Sequence, residues 1–179
     1  MRIQTHRLDD LAEVANIDLL KIDIQAGELA VFVQGRRKRE NAVAIQTELQ
    51  FVDLYKGQPS FGQVDQELRA QGLIPHHFAQ FRRRPISPLR FRPPGAAGQS
   101  VARSRHVYVR DFVHPEGIDS EQLKHLCLVA HVCNQSFDLA GRCVAFLEKR
   151  HAVREGALEG YVRILKALAA KPHEAGAAG

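Results

Sequence analysis

The order of the apolar segments between residues 17 and 52 constrains this chain more than any other feature. "IDLLKIDI" (17–24) holds five apolar residues in eight and no glycine or proline, the composition of a strand covered on both faces of a parallel sheet. "ELAVFVQGRRKR" (28–39) opens on an acid and closes on cations, the charge order that suits a helix macrodipole, and Gly35 weakens its last turn. "AVAIQTELQFV" (42–52) is a second strand, apolar in its first half and alternating afterwards. Strand, helix and strand in this order predict an α/β layer with right-handed crossovers.

The flanking segments extend that layer. "RLDDLAEVA" (7–15) has apolar residues at helical spacing and predicts a short helix or helical turn. "QVDQELRAQG" (63–72) reads as a helix stopped by Gly72, and "LIPHHFAQF" (73–81) as an extended segment that Pro75 confines to a sheet edge or a strand end. Residues 82–100, "RRRPISPLRFRPPGAAGQS", carry five arginines, four prolines and two glycines without periodicity, which predicts a mobile loop. "RHVYVRDF" (105–112) is one more strand. Three helical segments follow, the first two "LKHLCLVAHVCNQSF" and "DLAGRCVAFLEKR" and the third roughly 156–170. The reading is an α/β region over 1–114, a helical extension over 115–171 and a tail over 172–179 with too little apolar content to order.

At 179 residues and 45% hydrophobic, the chain can bury one core of ordinary size. The net charge of +5 favours anionic partners in general, but the basic runs at 36–39 and 82–84 come with no aromatic platform, so a nucleic-acid partner is not indicated. The N-terminus lacks an apolar signal region and no stretch is long enough to span a bilayer, so a cytoplasmic protein with no membrane partner is expected. Cys127, Cys133 and Cys143 suit reduced core thiols. His125, Cys127, His131 and Cys133 are possible zinc ligands, but on a helix only Cys127 and His131 share a face, so no metal site is predicted.

Ligands of open parallel sheets bind beyond the carboxyl ends of the strands, which singles out Asp23 and Glu48. On neighbouring strands about 4.8 Å apart, the two acids can converge to hold a cation, orient a hydroxyl or act as general base. The plainer use is also open: Asp23 caps the next helix and Glu48 pairs with an arginine. His76 and His77, adjacent in an extended segment, should point to opposite faces, and one of them can reach the crevice.

"RLDDL", "IDLLKIDIQAGEL", "AIQTELQFVDLY", "FGQVDQELRAQGL" and "VYVRDF" together resemble FkbM-family methyltransferases over roughly residues 5–150. The resemblance implies a partial Rossmann-like sheet of the class I methyltransferase type, S-adenosylmethionine as cofactor and O-methyl transfer to a small-molecule hydroxyl. By the same resemblance Asp23 lies at the tip of the fourth strand and Glu48 at the tip of the fifth, as the catalytic pair. Asp23 and Gln25 then contact the cofactor, Lys21 and Glu48 contact the substrate, and Pro59 and Phe61 lie near the substrate mouth; His76 is added to the substrate contacts from its own chemistry as a base in the extended segment. Where the family usually has glycine, this chain has Ala26, with glycine moved to 27.

The glycine-rich strand, turn and helix that would cradle the cofactor is not found before residue 18, since each βαβ unit needs roughly 30 residues. The expectation is a family-like piece without its cofactor-binding half, which works as a homo-oligomer or with a chain that supplies the missing strands. A non-catalytic interaction module that completes a partner's sheet is the rival reading, and a basic nucleic-acid binder the third.

Overall fold

A computed structural model of the chain describes residues 4–52, 57–86, 88 and 100–170. The chain divides after Gly117 into two compact units. The first contains β1 (Leu19–Ile22), α1 (Glu28–Gln34), β2 (Ala44–Gln50), α2 (Phe61–Ala70), β3 (Leu73–Arg84) and β4 (Ser100–Arg110). These strands form one sheet in the order β1-β2-β4-β3. β1 and β2 run parallel, and β4 is antiparallel to both β2 and β3.

The α/β class follows the sequence, but the sheet does not continue in parallel as expected. β4 inserts between β2 and β3, which leaves β3 at an edge, a place that suits Pro75 because proline has no N–H to give to a ladder. β1 is the other edge and is not covered on both faces: Leu19 is 38% exposed. Of the short helix or helical turn expected at 7–15, the structure forms a single 3-10 turn, Leu8–Asp10. α1 stops at Gln34, so Arg36–Arg39 lie in turns after it. There the Asp9 carboxylate accepts the N–H groups of Arg37 (3.2 Å) and Lys38 (2.9 Å), which fixes the turn from outside the helix.

The Arg/Pro-rich stretch is shorter than the sequence suggested, because β3 runs through Arg84 and β4 begins at Ser100. Most of the predicted mobile loop lies outside the described residues, as does the predicted tail at 172–179. Both helices pack on one face of the sheet, where Ile22, Phe32, Ile45, Leu49, Val64, Leu68, Leu73 and Tyr108 form a buried cluster. α2 starts at a complete capping box: Ser60 Oγ accepts from Gln63 N (3.3 Å) and the Gln63 side chain accepts from Ser60 N (2.8 Å).

The second unit contains α3 (Ser120–Leu128), a π-helical turn (Val129–Cys133), α4 (Phe137–Lys149) and α5 (Ala157–Ala169). Asp119 and Gln122 cap α3 reciprocally. The Glu148 carboxylate caps α5, accepting from Leu158 N (3.0 Å) and Gly156 N (2.6 Å), and these bonds hold it below its ordinary carboxyl range. Leu123, Leu126, Leu139, Ala140, Cys143 and Leu147 are buried. Burial, and behind it Cys127, pushes the Cys143 thiol up to about 12, so at neutral pH it is an uncharged core group. Cys127 donates to Ala140 O (3.5 Å) and His131 Nδ1 lies 2.9 Å from the Tyr161 hydroxyl. Among the described residues no three His, Cys, Asp or Glu side chains gather as metal ligands, and no helix is long and apolar enough to cross a membrane.

One core residue is at odds with its surroundings. His106 on β4, opposite Thr47, is 1% exposed and has no hydrogen-bond partner for either ring nitrogen. Its neighbours are the rings of Phe51, Phe61 and Phe78, 4.6–5.6 Å away. Burial pushes its pKa down to about 4, only partly opposed by Asp65. The unfolded chain therefore takes up a proton below about pH 6.5 that the folded chain refuses until about pH 4. Stability is full above pH 6.5 and falls as the pH drops through that window, by up to about 3 kcal/mol. Urea midpoints followed by circular dichroism at pH 7.5 and 5.0 should show this loss in the wild type and a smaller one in His106→Phe, which keeps the aromatic packing without the proton site.

Candidate functional site

The site begins where β1 ends. Asp23 follows Ile22, and Glu48 follows Thr47, the residue paired with Ile22 in the parallel register, so the two acids come level on neighbouring strands. Their situations differ. Asp23 is exposed and makes no ion pair or hydrogen bond among the described residues. Glu48 is not at a strand tip, since β2 runs on to Gln50. Its carboxylate lies 2.7 Å from Nη1 of Arg103 on β4, with the two side chains only 13% and 27% exposed. Glu48 is thus a half-buried, charge-paired group beside a carboxylate that is open to a ligand.

The turn between β1 and α1 is built around a third acid. Gln25 and Ala26 both adopt left-handed backbone conformations, with φ of 59° and 85°, a region that costs a residue with a Cβ roughly 1–2 kcal/mol. The turn is held by Glu28, 4% exposed, whose Oε1 accepts the Ile24 N–H at 3.0 Å. A carboxylate in the first turn of a helix also meets unpaired N–H groups. Glu28 thus ties the turn by reaching back to Ile24, and no side chain caps α1, so the cap that the sequence left open for Asp23 is not made.

Glu28, Glu48 and Gln50 border one small cavity of about 10 Å³, closed from above by Gln58 and Pro59. The Gln50 side-chain oxygen is buried without a partner. Ala26, Gln58 and Pro59 also border a larger cavity of about 570 Å³, whose other wall is the outer side of α1 at Leu29, Ala30 and Val33. Pro59 thus borders both cavities. Phe61 turns away from it, stacked on Phe51 (5.3 Å) and packed on His106 (5.3 Å). Asp23 borders neither cavity.

The remaining predicted residues are dispersed. Lys21 is exposed on β1, opposite Gln46. Gln25 is exposed in the strained turn. His76 lies on β3, three strands from β1 in the sheet order, so the structure does not bring it to Asp23; three spacings of about 4.8 Å separate the strands. A β-bulge between Pro75 and His77 also breaks the alternation expected there, and the His76 and His77 rings meet edge to face, 5.2 Å apart. Glu28 and Gln50 were missed as site residues. The signal for Glu28 was its place directly after the turn glycine; Gln50 gave none, because its importance depends on the cover from residues 58 and 59.

S-adenosylmethionine needs backbone that approaches it closely, usually through a glycine-rich turn after a strand, and an acid for its ribose hydroxyls. Among the described residues before β1 there is only the 3-10 turn at Leu8–Asp10, the cavity shared by Glu28 and Glu48 is far too small for a nucleoside, and the larger cavity has no carboxylate in its lining for the ribose hydroxyls. The described residues do not by themselves fit this cofactor.

The strained turn is open to a direct test. Replacing Ala26 by glycine removes the left-handed penalty but adds freedom to the unfolded chain. The net expected effect is a stabilisation of roughly 0.5–1 kcal/mol, read from chemical denaturation. A destabilisation of that size would show that Ala26 is not strained.

Residues 1–74 match the model of the methyltransferase FkbM domain. That stretch runs from the N-terminus through β1, α1, β2 and α2 to the start of β3, and it ends well before the position 150 to which the resemblance had been followed. No curated protein matches the chain. A solved structure, a "putative methyltransferase from Thermoplasma acidophilum", superposes with a TM-score of 0.33 at 13% identity, over 57% of this chain and 42% of that one. The chain therefore spans less than half the length of that structure. The stretch that carries Asp23, Glu28 and Glu48 is the one similar to the methyltransferase FkbM domain.

Proposed function

We propose that the sheet unit is the acceptor side of an FkbM-type methyltransferase that transfers a methyl group from S-adenosylmethionine to a hydroxyl of a small molecule. The observation that carries this reading is the unpaired Asp23 carboxylate, level with Glu48 at the end of a parallel strand pair. Beyond it, the match over residues 1–74 supplies the class of reaction. Asp23 accepts the hydrogen bond of the acceptor hydroxyl and takes its proton as the new carbon–oxygen bond forms, a contribution typical of a positioned general base. Glu48, held by Arg103, keeps a fixed negative charge beside it.

On this reading the cofactor cradle comes from residues beyond those described, in the same polypeptide or another, placed on the open edge of β1. That edge offers unpaired backbone groups on its outer side and a half-exposed Leu19. The same edge favours a second reading, an interaction module that completes a partner's sheet without catalysis.

Calorimetric titration with S-adenosylhomocysteine separates the two. The chain alone should not bind up to millimolar concentrations, and a mixture with the N-terminal, glycine-rich half of an FkbM methyltransferase should bind it. In that mixture, methyl transfer to hydroxyl acceptors should fall by about 100-fold in Asp23→Asn. Equal binding by the chain alone would show that the cradle is already present. Association of the two halves without cofactor binding would leave the interaction module as the reading that stands.

A further inference from the structure

The sheet has a second polar cavity at its other end, where the segments entering β2 and β3 meet the end of β4. It has a volume of about 250 Å³ and is bordered by Arg36, Arg39, Glu40, Ala70, Gln71 and Arg110. Two of its three guanidinium groups are committed. Arg36 forms a fork with Glu67, Nε to Oε1 at 2.8 Å and Nη2 to Oε2 at 2.7 Å. Arg110 donates to the carbonyl oxygens of Ala42 (2.7 Å), Gln71 (2.8 Å) and Glu40.

Arg39 is different. It is 2% exposed, its guanidinium lies 5.1 Å from the centroid of the Phe32 ring, and its Nη2 donates to the Phe32 carbonyl at 2.5 Å. Its Nε and Nη1 are buried with no partner among the described residues. A cation–π contact relieves part of the cost of burying a guanidinium, but N–H groups withdrawn from water and left unmatched are among the most unfavourable features a core can hold. The carboxylates near these groups are Glu40 at the cavity border, Glu67 on Arg36, and Asp9, which with Glu67 acts on Arg39 through space; none of them hydrogen-bonds the Arg39 Nε or Nη1.

We propose that this cavity binds a small oxyanion, a phosphate group or a carboxylate, which accepts hydrogen bonds from the unmatched Arg39 N–H groups while Arg36 adds charge at the mouth. Arg36 is suited to the mouth because half of its side chain is in solvent, so an arriving anion meets it first. The volume holds such an anion with several waters, since a water takes about 30 Å³. The site lies at the sheet end opposite Asp23 and does not depend on the methyltransferase reading.

The test uses the whole chain, inorganic phosphate and acetate as probes, and chloride at matched ionic strength as the reference, which removes general screening. Thermal unfolding and the side-chain Nε–H resonance of Arg39 are followed in parallel. Saturable binding is expected: at a probe concentration about ten times Kd the folding constant rises about elevenfold, and the Arg39 resonance shifts with the same midpoint. Phosphate acting alone assigns a phosphate ligand, and acetate acting as well assigns carboxylates. Arg39→Met should abolish the effect, and Arg36→Gln should weaken it about tenfold. Should Arg39→Met fail to fold, Arg36→Gln decides, because its side chain is at the surface. No probe-specific stabilisation and no shift of Arg39, or an undiminished response in Arg36→Gln, overturns the proposal.

Discussion

Arg110 is the fastening on which the sheet depends. It is the last residue of β4, and its guanidinium reaches carbonyl oxygens in both segments that enter the neighbouring strands, at Glu40 and Ala42 before β2 and at Gln71 before β3. Its own backbone N–H bonds Val43 O (2.9 Å), and the next N–H, of Asp111, bonds Gly72 O (3.1 Å). These carbonyls lie where turns meet strands and have no ladder partner of their own, so a donor with several arms is what lets them be buried. Bonds from a charged donor are also the stronger kind, about 1.5–3 kcal/mol each. With this end fastened, β4 is fixed between β2 and β3, and the register brings Asp23 level with Glu48 at the other end.

The elements that could be read from the sequence are those specified locally. β2 and α2 are written in apolar periodicity, although α2 was expected from 63 and the capping box of Ser60 with Gln63 starts it at Phe61. The edge position of β3 was written in Pro75. What could not be read was decided by distant partners. Arg36–Arg39 looked like the end of a helix, yet Asp9 and Glu67 hold them in turns. The insertion of β4 depends on pairing across more than fifty residues of chain, which no local pattern encodes. In the site, the level placement of Asp23 and Glu48 was legible from acids near the ends of two neighbouring strands, but not that β2 runs on to Gln50, that Arg103 claims Glu48 or that Glu28 ties the turn after Asp23.

The division of labour among the three acids has a chemical logic. A buried carboxylate needs donors, and Glu28 and Glu48 find them in a backbone N–H and an arginine. Asp23 takes no such bond among the described residues, and the strained Gln25–Ala26 turn lets Glu28 reach back to Ile24. The strain sits in two residues beside the group it serves, where a local cost buys a fixed geometry.

The central place of β4 also orders how the sheet can assemble. Its pairing with β3 joins positions such as Arg84 and Ser100 that are near in sequence, whereas its pairing with β2 joins Ala44 with Val109. Closing the longer loop costs more chain entropy, and the contact it brings forms on the far edge of a strand that the hairpin has already straightened. The two ends of the candidate site therefore belong to different stages of folding: Arg103 is set with the hairpin, while Asp23 and Glu48 come to it last, when β1 and β2 dock.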